Sequence, residues 1–151
     1  MSLIDIFHNE ALMCAVLGWF AAQLLKVIFV LVFDRKLDVT RFVGTGGMPS
    51  SHSSFVMSLT AYIGLSHGFD SPVFAVCFVL AFVVMYDAAG IRRAAGKQAK
   101  ILNQIIENWN ESAQLKGQRL KELLGHTPFE VIAGAAVGII VAVLFYFAIG
   151  H

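Results

Sequence analysis

Three short segments of this chain hold residues whose types and spacing can do chemistry. The first is Gly46-Gly47-Met48-Pro49-Ser50-Ser51-His52-Ser53. The two glycines, Gly46 and Gly47, permit close backbone approach to a ligand. Ser50 or Ser51 can cap a following helix, whose exposed N–H groups form an anion site. His52 would then sit in the first turn, within reach of a bound phosphate. The competing reading is an ordinary loop and N-cap with an incidental histidine. The second segment is Gly125-His126-Thr127-Pro128-Phe129-Glu130. His126 and Glu130 stand four apart, on one face if a single helix includes both. A carboxylate there can hold the imidazole in one tautomer, as in a catalytic triad. Thr127-x-x-Glu130 is equally a capping box, with Pro128 at the first helical position. Glu130 therefore reads as cap partner or orienting group, and its two oxygens let the roles overlap. The third segment is Asp87-Ala88-Ala89-Gly90-Ile91-Arg92-Arg93, where a carboxylate closes an apolar run just before a basic cluster.

The elements that position these residues follow from composition. Of 151 residues, 58% are hydrophobic and 14% charged. A soluble domain carries about 25% charged residues, and so small a soluble chain could not hide this much apolar surface. The balance excludes a soluble enzyme and a disordered chain, and it points to an integral membrane protein. The apolar runs predict an all-α membrane bundle of about four transmembrane helices, near residues 11–33, 50–66, 72–91 and 127–150, in one domain spanning 1–151. The second run is short for a full crossing. Between the third and fourth, Ile101, Leu102, Ile105, Ile106 and Trp109 form one apolar stripe. This predicts an amphipathic helix within 97–124, at the membrane surface or against the bundle. No basic region precedes the first apolar run, so a cleaved signal peptide is not expected. Cys14 and Cys77 lie within apolar runs and predict neither a disulfide framework nor a metal site.

Charge sets the orientation. Ten of the eleven Lys and Arg residues fall in the two loops after helices one and three: Arg35, Lys36, Arg41, Arg92, Arg93, Lys97, Lys100, Lys116, Arg119 and Lys121. The positive-inside rule puts both loops in the cytoplasm. His52 and His126 open the helices that follow these loops, so both histidines, two helix N-termini and the basic residues share one membrane face. That is a plausible phosphate pocket. A helix N-terminus favours the neutral form of a nearby imidazole, which a nucleophile needs, whereas a general acid needs the proton. Lys26, inside helix one, matches the depth of Asp87. The two are expected to pair, either at the site or as a lock on the bundle. Gly134-x-x-x-Gly138 predicts close helix packing. Neither a metal, another cofactor nor a nucleic-acid partner is expected, and oligomerisation stays open.

These three segments, in this order, resemble the divergent branch of the type 2 phosphatidic acid phosphatase superfamily, which also includes the vanadium-dependent haloperoxidases. The resemblance covers nearly the whole chain. The wider superfamily uses Pro-Ser-Gly-His for phosphate contacts and a His acid; Pro49-Ser50-Ser51-His52 matches with Ser51 for Gly. A later Arg and a His-x-x-x-Asp supply a phosphate ligand, the nucleophile and its orienting carboxylate. Here His126-x-x-x-Glu130 corresponds, with Glu for Asp, and Arg119 is the candidate for the Arg, one residue further off than usual. The superfamily's Lys-x6-Arg-Pro is absent as such, and Arg35, Lys36, Arg41 or Lys26 are candidate substitutes. The predicted cytoplasmic site also departs from the usual outward-facing site. The resemblance implies a lipid phosphatase or diphosphatase of the bacterial cell membrane. His126 would form a phosphohistidine and His52 would act as acid. Arg41, Arg119, Arg92, Arg93, Lys36, Gly47, Ser50 and Ser51 are the phosphate-binding candidates. Phosphatidate, phosphatidylglycerol phosphate and isoprenyl phosphates or diphosphates are all open as substrates. The rival is a non-catalytic anionic-lipid binder or transporter using the same basic face. A scaffold whose basic loops only set topology is a third reading.

Overall fold

The protein is described by a computed structural model covering residues 3–34, 47–109 and 125–150. Among the described residues it is all-α, with no strand. A short 3-10 helix, Leu3–His8, leads into α1 (Glu10–Asp34); α2 (Ser51–His67), α3 (Pro72–Ala89), α4 (Ile91–Trp109) and α5 (Pro128–Ala148) follow. Among the described residues three stretches are long and apolar enough to cross a membrane: α1, α5 and the run that begins with α3. Their starts carry ordinary stop-and-start chemistry. Ser71 caps α3, accepting from the Phe74 N–H with Pro72 in the first turn, and Thr127 does the same for α5 with Pro128.

α2 is the odd member and the centre of the bundle. Its 17 residues rise about 26 Å, and it packs against α1, α3 and α5. Polar side chains point inward: Ser51, Ser53, Ser54, Ser58 and Thr60 are buried. Apolar ones face outward, as with Val76, Val79, Phe82 and Val83 on α3 and Ile132, Ile140 and Leu144 on α5. In hydrocarbon, burying apolar surface gains little, so helices associate through small residues and hydrogen bonds. Ser54 Oγ donates to Gly18 O at 2.7 Å, and Ser58 Oγ to Ser54 O at 2.8 Å. Gly18 and Gly138 face these serines, and Gly134 faces the N-cap Ser50, so closely that a Cβ on any of the three would collide with α2 or its cap. The GxxxG expectation is thus met by a specific seam between α2 and α5. At the far end of the bundle, Tyr62 Oη donates to Glu10 Oε2 at 2.6 Å, above a core of Cys14, Tyr62 and Ala142. Cys14 and Cys77 are free thiols.

Helix boundaries depart from the sequence reading at one informative place. The third helix stops at Ala89, not at 91, and the amphipathic helix starts at Ile91 rather than near 97. Gly90 makes the break. Its N–H donates to Tyr86 O at 2.9 Å to finish α3, while its carbonyl accepts from Ala94 N at 2.9 Å to begin α4. Among the described residues α4 touches only α3. It buries Gly96, Ala99 and Asn103 and leaves Ile101, Leu102 and Ile105 exposed beside Lys97 and Lys100. An apolar face flanked by lysines suits the membrane interface.

Candidate functional site

The start of α5 orients His126. The helix begins at Pro128 with Thr127 as its N-cap, so His126 lies just outside it. The condition for a shared helical face with Glu130, one helix that includes both residues, is therefore not met. The side chain of Glu130, at the third helical position, curls back over the helix start instead. Its Oε2 accepts from the Thr127 N–H at 2.9 Å and lies 3.1 Å from His126 Nδ1. One carboxylate oxygen thus completes the capping box and holds the imidazole. A carboxylate only accepts, so in the neutral ring this contact puts the proton on Nδ1 and the lone pair on Nε2. The backbone of His126 is held as well, by its N–H donating to Ala88 O at 3.0 Å at the end of α3. The residue is buried, 4% exposed. Thr127→Ala removes the acceptor for the Glu130 N–H. It should lower stability by about 1 kcal/mol in detergent unfolding while leaving the His126–Glu130 contact in place.

The start of α2 brings His52 alongside. Ser50, not Ser51, is the N-cap, with its Oγ accepting from Ser53 N and Ser53 Oγ. His52 is exposed in the first turn. Its ring meets that of His126 edge-on, with centroids 6.1 Å apart. This approach depends on backbone contact between the two helix starts. Ser50 N donates to Glu130 O at 2.9 Å, and one turn further along α5 a Cβ at Gly134 would fall on the Ser50 backbone. Gly47 adopts a left-handed φ of 87°. Open space surrounds its Cβ direction, so the residue is required by backbone conformation rather than by close packing.

Lys26 reaches the same place from α1. It is buried, and its Nζ donates to Ser51 Oγ at 3.2 Å. This hydrogen bond sets Lys26 against the start of α2, where depth alone had paired it with Asp87. Asp87 is half-buried, one residue before the carbonyl that anchors His126. Lys26→Met should destabilise the protein by about 1.5–3 kcal/mol, the range for a hydrogen bond to a charged group. The exposed Lys97→Met should change it by less than about 0.5 kcal/mol. Unfolding in mixed micelles compares the two. Lys36, Arg41 and Arg119 lie outside the described residues. Arg92 and Arg93 fall in the first turn of α4, with side chains outside the described set. Among the described residues no three His, Cys, Asp or Glu side chains converge to hold a metal ion.

The site thus gathers His52, His126, Glu130, Lys26 and Ser51 at one end of the bundle. Sequence reasoning did not find the Ala88 carbonyl or the Lys26–Ser51 contact. A backbone acceptor carries no sequence signal. The period of Ser51, Ser54 and Ser58, three and four apart, would have marked the α2 face to which Lys26 points. Residues 7–141 match the Divergent PAP2 family. The chain is also 38% identical over 156 residues to the uncharacterized membrane protein YuiD of Bacillus subtilis (strain 168), covering 95% of this chain and 99% of that protein. No solved structure matches it. The paired histidine segments, the membrane helices and these two similarities agree: the chain belongs to the divergent PAP2 family of membrane proteins.

Proposed function

We propose that this protein is a membrane lipid phosphatase that hydrolyses a phosphomonoester or diphosphate through a phosphohistidine. The observation that carries the reading is the double use of Glu130 Oε2, which fixes the His126 ring while the His52 ring stands 6.1 Å away. The Nε2 lone pair of His126 attacks phosphorus. The bond from phosphorus to the lipid oxygen breaks, and His52 as imidazolium gives that oxygen its proton. Glu130 stabilises the positive charge left on the phosphorylated ring. Water then attacks phosphorus, neutral His52 takes its proton, and the P–N bond breaks to release inorganic phosphate and restore both rings. Lys26, with Arg41 and Arg119 as the resemblance implies, balances the phosphoryl charge. Arginine is suited to this by its bidentate donors. The helix starts of α2 and α5 add N–H groups and dipoles of the same sign. The charge of the basic loops supports a cytoplasmic position for this face by the positive-inside rule.

The test is phosphate release by the purified protein in liposomes, with phosphatidate, phosphatidylglycerol phosphate and isoprenyl phosphates and diphosphates offered in turn. Turnover of one class identifies the substrate. Binding of all of them without release, by folded protein, replaces the enzyme with an anionic-lipid binder or transporter.

A further inference from the structure

The helix arrangement leaves a groove that the chemistry above does not use. Among the described residues α1 and α3 both pack on α2 but not on each other. Between them lies a cavity of about 620 Å³ lined by Val16 and Trp19 of α1, His52, Phe55 and Val56 of α2, and Val84 of α3. That volume is in the range of small-molecule sites. Five of its six lining residues are apolar. The sixth is His52, whose ring meets His126. His52, Phe55 and Val56 stand three and four apart on one face of α2, so the groove runs from the histidine towards the middle of the bundle. A second apolar cavity of about 290 Å³, lined by Ile6, Phe7, Leu12, Met13, Val16 and Leu17, takes over at Val16. The apolar track therefore extends along α1 beyond the reach of a small headgroup.

A polar end at the reacting groups and a long apolar remainder match one kind of ligand. We infer that this groove holds one hydrocarbon chain of the phosphate-bearing lipid, with Val16, Trp19 and Val84 selecting the chain while His52 meets the head. The inference rests on the lipid phosphatase reading for its headgroup. It adds that the enzyme recognises its substrate by the chain, so a water-soluble phosphate ester is a poor substrate even though the reacting group is the same. Val16 is exposed and Val84 is partly exposed, so each can be enlarged without disturbing the core. Tryptophan at either position would fill the groove from its open side. Tryptophan at Val83, exposed on the outward face of α3, is the matching control.

The experiment uses the full chain in phosphatidylcholine liposomes. A phosphatidate carrying a diazirine on its acyl chain is photolysed, and the adducts are mapped by mass spectrometry. Phosphate release is measured in parallel from dioleoyl and dihexanoyl phosphatidate. Adducts should concentrate on Trp19, Val56 and Val84 and fall about tenfold in Val84→Trp and Val16→Trp, the scale on which an apolar pocket discriminates. KM for the dioleoyl substrate should rise by a similar factor in both variants and by far more than KM for the dihexanoyl substrate, with Val83→Trp unchanged on both. Adducts spread evenly over Phe82, Val83 and the groove would overturn the inference. So would equal losses on long and short chains. Groove adducts with no release from any of the lipid phosphates offered above support the chain site and count against the phosphatase reading. Release that is indifferent to chain length and to both tryptophans does the reverse.

Discussion

His126→Ala should abolish phosphate release, by about 10⁴-fold or more, because it removes the nucleophile itself. Glu130 makes the sharper test, since it has two separable jobs on one oxygen. Glutamine still offers an oxygen to the Thr127 N–H and is an accepted capping-box partner. Glu130→Gln should therefore unfold within about 0.5 kcal/mol of wild type. It should nevertheless lose about 10²–10⁴ in kcat, because a neutral amide neither enforces the Nδ1 proton nor stabilises a cationic ring. Glu130→Ala should lose both stability and turnover. Single-turnover assays with ³²P-labelled lipid add a direct reading: acid-labile label on wild-type protein that is missing from His126→Ala. Full activity in Glu130→Gln would mean that the carboxylate is only a cap. Turnover retained by His126→Ala would remove the phosphohistidine.

The second large effect is on the scaffold. Gly134→Ala adds one methyl, which favours a helix by about 1 kcal/mol in isolation. Here the methyl would land on the backbone of Ser50. Backbone cannot rotate aside, so α2 and α5 must part. Overpacking of this kind costs about 1–3 kcal/mol, and it outweighs the propensity gain. Separation also acts on the site, because the Ser50–Glu130 backbone bond holds His52 against His126. Gly134→Ala should lower the unfolding midpoint in detergent and reduce phosphate release more than tenfold. Ala136→Leu, exposed on the same helix, should do neither. A stable and active Gly134→Ala would show that the α2–α5 seam does not position the histidines.

Much of this was legible in the sequence, for reasons that are local. Apolar runs at low charge predict membrane helices, because unsatisfied backbone polar groups are intolerable in hydrocarbon. Alternation of helices places every second loop on one side, so the His52 and His126 segments had to share an end. Ser50, Thr127 and Pro128 mark helix starts through chemistry confined to one turn. Other features depended on distances between helices, which no spacing encodes. Depth alone paired Lys26 with Asp87, and packing of α1 on α2 set its Nζ against Ser51 Oγ. Glu130 could cap or orient, and the curl of one side chain over the helix start made it do both. The groove at His52 exists only because α1 and α3 flank α2 without meeting. Sequence by itself determined which residues reach the same membrane face; the tertiary structure decided which of them touch, because contact depends on how closely glycine and serine let the helices approach.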